Sequence, residues 1–259
     1  MNGRFAEQVA IVTGAGGGLG RVVAERLAAE GARVVVADLN EAAGRAVAGS
    51  LHDALAVVTD IADSESVAAL VHRTRERYGR IVILVNNAAI TGKHPDYRRY
   101  GLLDTPLEFW RWLMEINLTA QFGCLQAVAR VMAEQRCGAI VNVSSIAGLM
   151  PTPGDFAYSV GKAAVLMLTR CAAAELGQWN VRVNAVAPSG MRAPEAGASP
   201  APAPHNLVGR VADFADVADV VAFLCSEEAR FVDGQVITVD GGELVAPRYR
   251  WRSDRPPSE

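Results

Sequence analysis

No stretch of the chain approaches the roughly 18 uninterrupted apolar residues that a membrane-spanning helix needs, so no span is expected. Cysteine is scarce as well: Cys124, Cys137, Cys171 and Cys225 lie far apart and form no C-x-x-C pair. A chain this long needs no disulfide framework, so these thiols are expected to be reduced and mostly buried as small hydrophobes. The four histidines, His52, His72, His94 and His205, make no group with cysteine or carboxylate at metal-ligand spacing, and no metal is expected. An excess of positive charge is also missing. With 25 basic and 28 acidic residues the net charge is −3, which gives no footprint for nucleic acid and points to a small-molecule partner. Residues 1–8 carry Arg4 and Glu7, and the apolar run that follows is far shorter than a secretory leader's core, so a cytoplasmic location is expected.

Apolar residues make up 51% of the 259, enough for one sizeable core, and the expectation is a single domain over 1–244 with a C-terminal tail over 245–259. Short β-branched runs at 9–13, 33–37, 56–59, 81–86, 139–144, 181–187 and 236–239 alternate with segments of helical period. Those segments fall near 18–30, 40–49, 63–77, 106–134, 156–178 and 213–226. That alternation is the pattern of parallel βαβ units, and strands that are apolar almost throughout belong to a sheet covered on both faces. The expected fold class is α/β, a Rossmann-like doubly wound sheet of about seven parallel strands with helices on both faces. Thr105-Pro106-Leu107-Glu108 combines capping-box spacing with proline at a first helical position, which marks the start of the fourth helix. Segments 91–101 and 189–209 break the rhythm and are expected as loops; the second, with prolines at 194, 200, 202 and 204, reads either as a lid or as a plain surface segment. The tail, with Arg248, Arg250, Arg252 and Arg255 among prolines, reads either as a frayed or subunit-contacting extension or as an anion-binding segment.

After the first strand comes Thr13-Gly14-Ala15-Gly16-Gly17-Gly18-Leu19-Gly20, a glycine turn entering a helix. Glycines let backbone approach a pyrophosphate closely, and a helix N-terminus favours its charge. Asp38 ends the second strand 24 residues beyond Gly14, where a carboxylate can accept both hydroxyls of an adenosine ribose and repel a 2′-phosphate. Gly16, Gly17 and Leu39 stand where basic phosphate-binding residues could sit, so NAD is favoured over NADP. Asp38 also fits the N-cap of the next helix, and Asp60 is either an adenine contact or a turn residue.

Tyr158 and Lys162 are four residues apart at the start of a helix and share one face. Tyrosine ionises near ~10, so service as a base near neutrality asks for about 4 kcal/mol of differential stabilisation, which an adjacent ammonium can partly supply. Ser145 ends the fifth strand thirteen residues earlier and Asn86-Asn87-Ala88 ends the fourth, both at the carboxyl edge where open α/β sheets bind ligands. Asn117 falls inside the fourth helix, where it either faces solvent or marks a local break on a proton path.

These motifs, together with Asn184–Pro188 and Val239-Asp240-Gly241-Gly242, make the chain resemble the short-chain dehydrogenase/reductase family over residues 8 to 242. The resemblance implies an enzyme that moves a hydride between NAD(H) and a secondary alcohol or its ketone. It implies Tyr158 as general acid/base, Ser145 as the group orienting the substrate oxygen, Lys162 as the residue that lowers the tyrosine pKa and holds the nicotinamide ribose, and Asn117 as the holder of a water linking Lys162 to solvent. It further implies cofactor contacts from Gly14, Gly16, Gly17, Gly18, Leu19, Gly20, Asp38, Leu39, Asp60, Ile61, Asn87, Ala88, Ala89, Pro188, Ser189 and Met191, and a homotetramer or dimer. Two departures stand out: Ala89 replaces the family's glycine, and Ala193 stands where its P-G-x-x-x-T motif has threonine. The competing reading is a dinucleotide-binding sensor or scaffold without chemistry; the presence of all four catalytic residue types argues against it. Leu149, Met150, Pro151, Phe156 and Met191 suggest an apolar substrate pocket for a cyclic or terpenoid-like alcohol, or else are packing residues. Lys93, His94, Arg98 and Arg99 either greet an acidic substrate group or form a solvated basic loop.

Overall fold

The computed structural model describes residues 3–92, 94–192 and 206–245. Seven parallel strands form one sheet: β1 (Val9–Thr13), β2 (Arg33–Asp38), β3 (Leu55–Val58), β4 (Ile83–Asn86), β5 (Gly138–Val143), β6 (Val181–Pro188) and β9 (Val236–Val239). Their spatial order, β3-β2-β1-β4-β5-β6-β9, reverses direction between β1 and β4. A crevice at the carboxyl ends of those two strands is the ligand position that such topology creates.

Because strand side chains alternate between faces, each strand feeds two cores. Ala10, Val12, Val34, Val36, Ile83 and Val85 pack on one face with Val23 and Leu27 of α1 (Gly18–Ala29) and Val217 and Val221 of α7 (Phe214–Cys225). Val9, Ile11, Val35, Leu84, Ile140 and Val183 pack on the other with Leu70 of α3 (Ser64–Tyr78) and Val128 and Met132 of α5 (Ala120–Gln135). The expected fold class is thus the observed one. α2 (Glu41–Ser50) covers the β2–β3 edge, with Asn40, not Asp38, as its N-cap: the Asn40 side chain accepts from the Ala43 N–H at 3.1 Å.

The fourth helix differs from expectation. It runs as α4 (Leu107–Met114), a π turn (Glu115–Thr119) and α5, with Pro106 at the N-cap position. The Thr105 hydroxyl donates to the Gly101 carbonyl at 2.6 Å, so the capping box anticipated there does not form. A capping box does form at α7, where Asp213 and Asp216 bond each other's backbone N–H groups. Within the expected loop 189–209, β7 (Met191–Arg192) pairs in parallel with β8 (Ala212–Asp213). Residues 193–205 of that expected loop lie outside the described residues, as do Lys93 and most of the C-terminal tail. Of the four thiols only Cys124 and Cys225 are buried; Cys137 is half-buried and Cys171 exposed, which corrects the expectation that most are core.

α1 reaches the sheet edge only because Gly20 has no side chain. A Cβ there would stand 2.2 Å from the Gly14 carbonyl oxygen and 2.6 Å from the Asn87 side-chain nitrogen, which is held by its bonds to the Thr13 and Gly14 carbonyls. Gly14 itself turns with φ +64°. Gly20→Ala is therefore expected to cost about 1–3 kcal/mol, seen as a melting temperature several degrees lower in the ligand-free protein.

Candidate active site

The end of β5 builds the site. The Lys162 ammonium, on α6 (Phe156–Leu176), donates to the Val143 carbonyl at 2.9 Å, and the Ser144 hydroxyl donates to the Lys162 carbonyl at 2.8 Å. Two bonds therefore tie Val143, the last residue of β5, and Ser144 after it to one residue of the helix. Just beyond, Ser145 starts a short 3-10 turn and accepts the Ala147 N–H at 3.1 Å. That turn lies directly on α6, so closely that a Cβ on Gly148 would meet the Lys162 backbone at 2.7 Å. Ser145 and Tyr158 are brought into hydrogen-bond reach by this contact.

Lys162 is buried, and loss of hydration pushes its pKa from 10.5 to about 8. Its nitrogen lies 5.8 Å from the centre of the Tyr158 ring. Burial pushes the Tyr158 phenol above its ordinary value, the Ser145 hydrogen bond pulls it down, and the Asp155 carboxylate raises it again. The Lys162 ammonium is directed at the Val143 carbonyl, and burial is the largest influence on the phenol.

Asn117 is fully buried within the π turn, the local break that its position inside a helix had suggested. Its side chain grips Ile90 at both backbone atoms, accepting the N–H at 2.7 Å and donating to the carbonyl at 2.9 Å. It anchors the loop after β4, and its Cβ would be 3.9 Å from a Cβ placed on Gly161. Asn87 fixes the other side of that loop by donating to the Thr13 and Gly14 carbonyls at 2.9 and 3.2 Å.

A cleft of about 610 Å³ runs between these groups. Gly14, Gly17, Gly18 and Leu19 line one end, Asn87, Ala88 and Ala89 the middle, and Ser145, Tyr158, Lys162, Ser189 and Met191 the other. The residues present fit a dinucleotide. At the N-cap of α1, Gly17 has extended backbone and offers no side-chain cap to the first-turn N–H groups, which leaves them for a phosphate. Beside it the Asp38 carboxylate is held by the Gly16 and Asn40 N–H groups at 2.7 and 2.8 Å. A Cβ on Gly16 would stand 2.9 Å from that carboxylate, so a side chain there would displace Asp38 from its present position.

Other anticipated contacts lie off the lining. Gly20 is spent on packing, Leu39 is exposed beyond Asp38, and Pro188 ends β6 behind Ser189. Asp60 accepts the Ala62 N–H at 2.9 Å, the turn arrangement, with Ile61 beside it. Of the suggested apolar pocket only Met191 lines the cleft; Leu149 and Met150 are exposed, and Phe156 packs on Trp110 with ring centres 5.9 Å apart. The sequence reading missed Tyr97, Asp155 and Phe214, all on the cleft wall. Tyr97 sat in a flagged loop, but nothing local in the sequence pairs it with Asp155. Among the described residues no cluster of His, Cys, Asp and Glu could hold a metal, and no helix is long and apolar enough to cross a membrane.

The buried ammonium implies a cost in stability with a definite pH signature. Its folded pKa lies below its unfolded value, so between about pH 8 and 10.5 the unfolded chain binds the extra proton and this residue's contribution to stability rises with pH. Below pH 8 the penalty is constant at about 3 kcal/mol. Lys162→Met should therefore melt higher than the wild type at pH 7, with the gap closing as pH climbs through that window; thermal unfolding of both proteins across pH measures it.

Comparison with known proteins places these features in context. A family model described as enoyl-(acyl carrier protein) reductase matches residues 14–243. The chain is 41% identical to cis-4-hydroxycyclohexanecarboxylate dehydrogenase of Sinomonas cyclohexanicum, over 93% of this chain and 98% of that one. It is 36% identical to levodione reductase of Leifsonia aquatica, over 94% and 96%. The solved structure of an NAD+-bound xylitol dehydrogenase superposes with a TM-score of 0.83 at 30% identity, covering 92% of this chain and 99% of that one.

Proposed function

As the chain belongs to the short-chain dehydrogenase/reductase family, whose relatives above are dehydrogenases and reductases of hydroxyl and carbonyl compounds, we propose that it is an NAD(H)-dependent enzyme interconverting a cyclic secondary alcohol and its ketone. The observation that carries this reading is the convergence of Ser145, Tyr158 and Lys162 at one end of a cleft whose other end is a glycine-lined helix N-terminus. Residues up to 244 act as one catalytic unit.

When bound, the oxidised dinucleotide supplies a hydride acceptor and a positive charge that favours the phenolate. The Ser145 hydroxyl, with one proton to donate and lone pairs to accept, bridges the substrate oxygen and the phenol and holds both at one point. In oxidation Tyr158 takes the carbinol O–H proton as the carbinol C–H leaves with its electron pair, and a ketone remains; in reduction the same phenol returns the proton. Lys162 passes that proton onward, a role suited to an ammonium whose pKa is about 8, and an ordered water at the π turn around Asn117 links it to solvent. Lys162 also holds the nicotinamide ribose.

NAD is preferred because the Asp38 carboxylate, held by the Gly16 N–H beside the glycine turn, would repel a 2′-phosphate, and Gly16 brings no basic side chain to bind one. A neighbour solved with NAD+ supports the choice. A six-membered ring substrate is supported by a relative named for a hydroxycyclohexanecarboxylate. The free thiols suit a reducing, cytoplasmic setting. The half-exposed apolar groove between α5 and α6, with Phe122, Leu125, Ala129 and Leu168, supports assembly into a dimer or tetramer.

Tyr158→Phe is expected to lower kcat by about 10³-fold while NADH still binds with wild-type affinity, measured by absorbance at steady state and by fluorescence titration. Retained turnover would remove the mechanism. Asp38→Ser should raise the NADP-to-NAD ratio of kcat/KM about 10-fold or more, by removing the carboxylate that repels a 2′-phosphate; an unmoved ratio would place cofactor choice elsewhere.

A further inference from the structure

We propose that Arg99 recognises an anionic substituent, best a carboxylate, on the substrate; the inference rests on the alcohol-oxidising reading above and names the class of alcohol that the site takes. Four basic residues of segment 91–101 could have served, and the structure separates them. Arg98 donates to the Pro95 and Tyr97 carbonyls at 2.6 and 2.8 Å and so braces its own loop. His94 accepts the Asp96 N–H at 3.2 Å and sets its ring edge against Trp112. Lys93 lies outside the described residues. Arg99 lies on the wall of the cleft that holds Ser145 and Tyr158.

Its position is fixed by the start of α6. Tyr100 forms a β-bridge with Asp155, and the Phe156 N–H reaches the Tyr100 carbonyl at 3.4 Å. Asp155 then divides its oxygens: one accepts the Tyr97 hydroxyl at 3.0 Å, the other stands 3.4 Å from the Arg99 guanidinium. Tyr97 in turn sets its ring edge-on to Tyr158, centres 6.4 Å apart. The loop is thereby held in register with the proton-transferring phenol three residues beyond Asp155.

The exposures of the ion pair decide which charge a ligand meets. The Arg99 side chain is 71% exposed and the Asp155 side chain 11%. The wall therefore presents its cation outward and keeps the balancing carboxylate behind it. The pair meets at one guanidinium nitrogen, 3.4 Å from the carboxylate, and its arginine side is open to solvent, so the guanidinium can turn the rest of its fork to an incoming carboxylate. The planar fork matches a carboxylate with two parallel hydrogen bonds, which a lysine cannot reproduce.

The test sets 4-hydroxycyclohexanecarboxylate against the uncharged 4-methylcyclohexanol in the wild type, Arg99→Gln and Arg98→Gln. For Arg99→Gln the carboxylate's KM should rise about 30-fold with kcat within about threefold, and the KM of the uncharged alcohol should move by less than about threefold. Arg98→Gln should leave the ratio of the two KM values unchanged. A direct readout accompanies it: calorimetric titration of cyclohexanecarboxylate, with and without NADH, should give a Kd about 30-fold weaker in Arg99→Gln. Equal KM changes for both alcohols, an unmoved Kd, or failure of the wild type to bind the carboxylate overturns the proposal. If the wild type oxidises neither alcohol yet binds the carboxylate through Arg99, the anion site stands and the alcohol-oxidising reading falls.

Discussion

The structure turns on the desolvated ammonium of Lys162 and its bond to the Val143 carbonyl. That contact, with the reciprocal bond from Ser144 to the Lys162 carbonyl, locks the end of β5 to the first turns of α6. Everything at the reaction end of the cleft inherits its position from that lock. Ser145 follows Ser144 in the chain, Tyr158 precedes Lys162 by one helical turn, and Asp155 lies at the N-cap of the same helix. A buried charge destabilises a fold in its own right, and a methylene chain would pack there at less cost. Its presence is understandable as the requirement of a site in which an amine must stay close to a phenol and near its own ionisation point.

The two ends of the cleft follow different logic. At the glycine end the chain withdraws side chains so that backbone can approach a ligand, and Gly20 and Gly16 are determined by what surrounds them: the Gly14 carbonyl in one case, the Asp38 carboxylate in the other. At the reaction end the chain crowds polar groups together and desolvates them. Between the two, Asn87 and Asn117 use their amides on backbone, tying the loop after β4 to the Thr13–Gly14 turn and to the π turn. Both asparagines serve the site by holding its floor.

Much of this was legible in the chain as written. The alternation of apolar strands with helical segments gave the seven-stranded parallel sheet, since burial of both faces forces that pattern. The glycine turn, Asp38 and the Tyr158/Lys162 spacing could be placed because each is local. What failed was also local in origin: Thr105-Pro106-Leu107-Glu108 has the spacing of a capping box, yet the Thr105 hydroxyl found a nearer acceptor at Gly101. Leu149 and Met150 looked like pocket residues from their place after β5, but the turn that delivers Ser145 carries them outward.

The sequence by itself determined the sheet, the glycine turn at its carboxyl edge and the one-turn spacing of Tyr158 and Lys162, because period, glycine placement and helical spacing act within a few residues of one another. Only the tertiary structure decided the electrostatics and the substrate wall. The environments of Lys162 and Tyr158 depend on how deeply α6 lies against β5, and the pairing of Tyr97 and Arg99 with Asp155 joins residues more than fifty apart. Desolvation and long-range charge placement come from packing the whole chain, which no short window of residues contains.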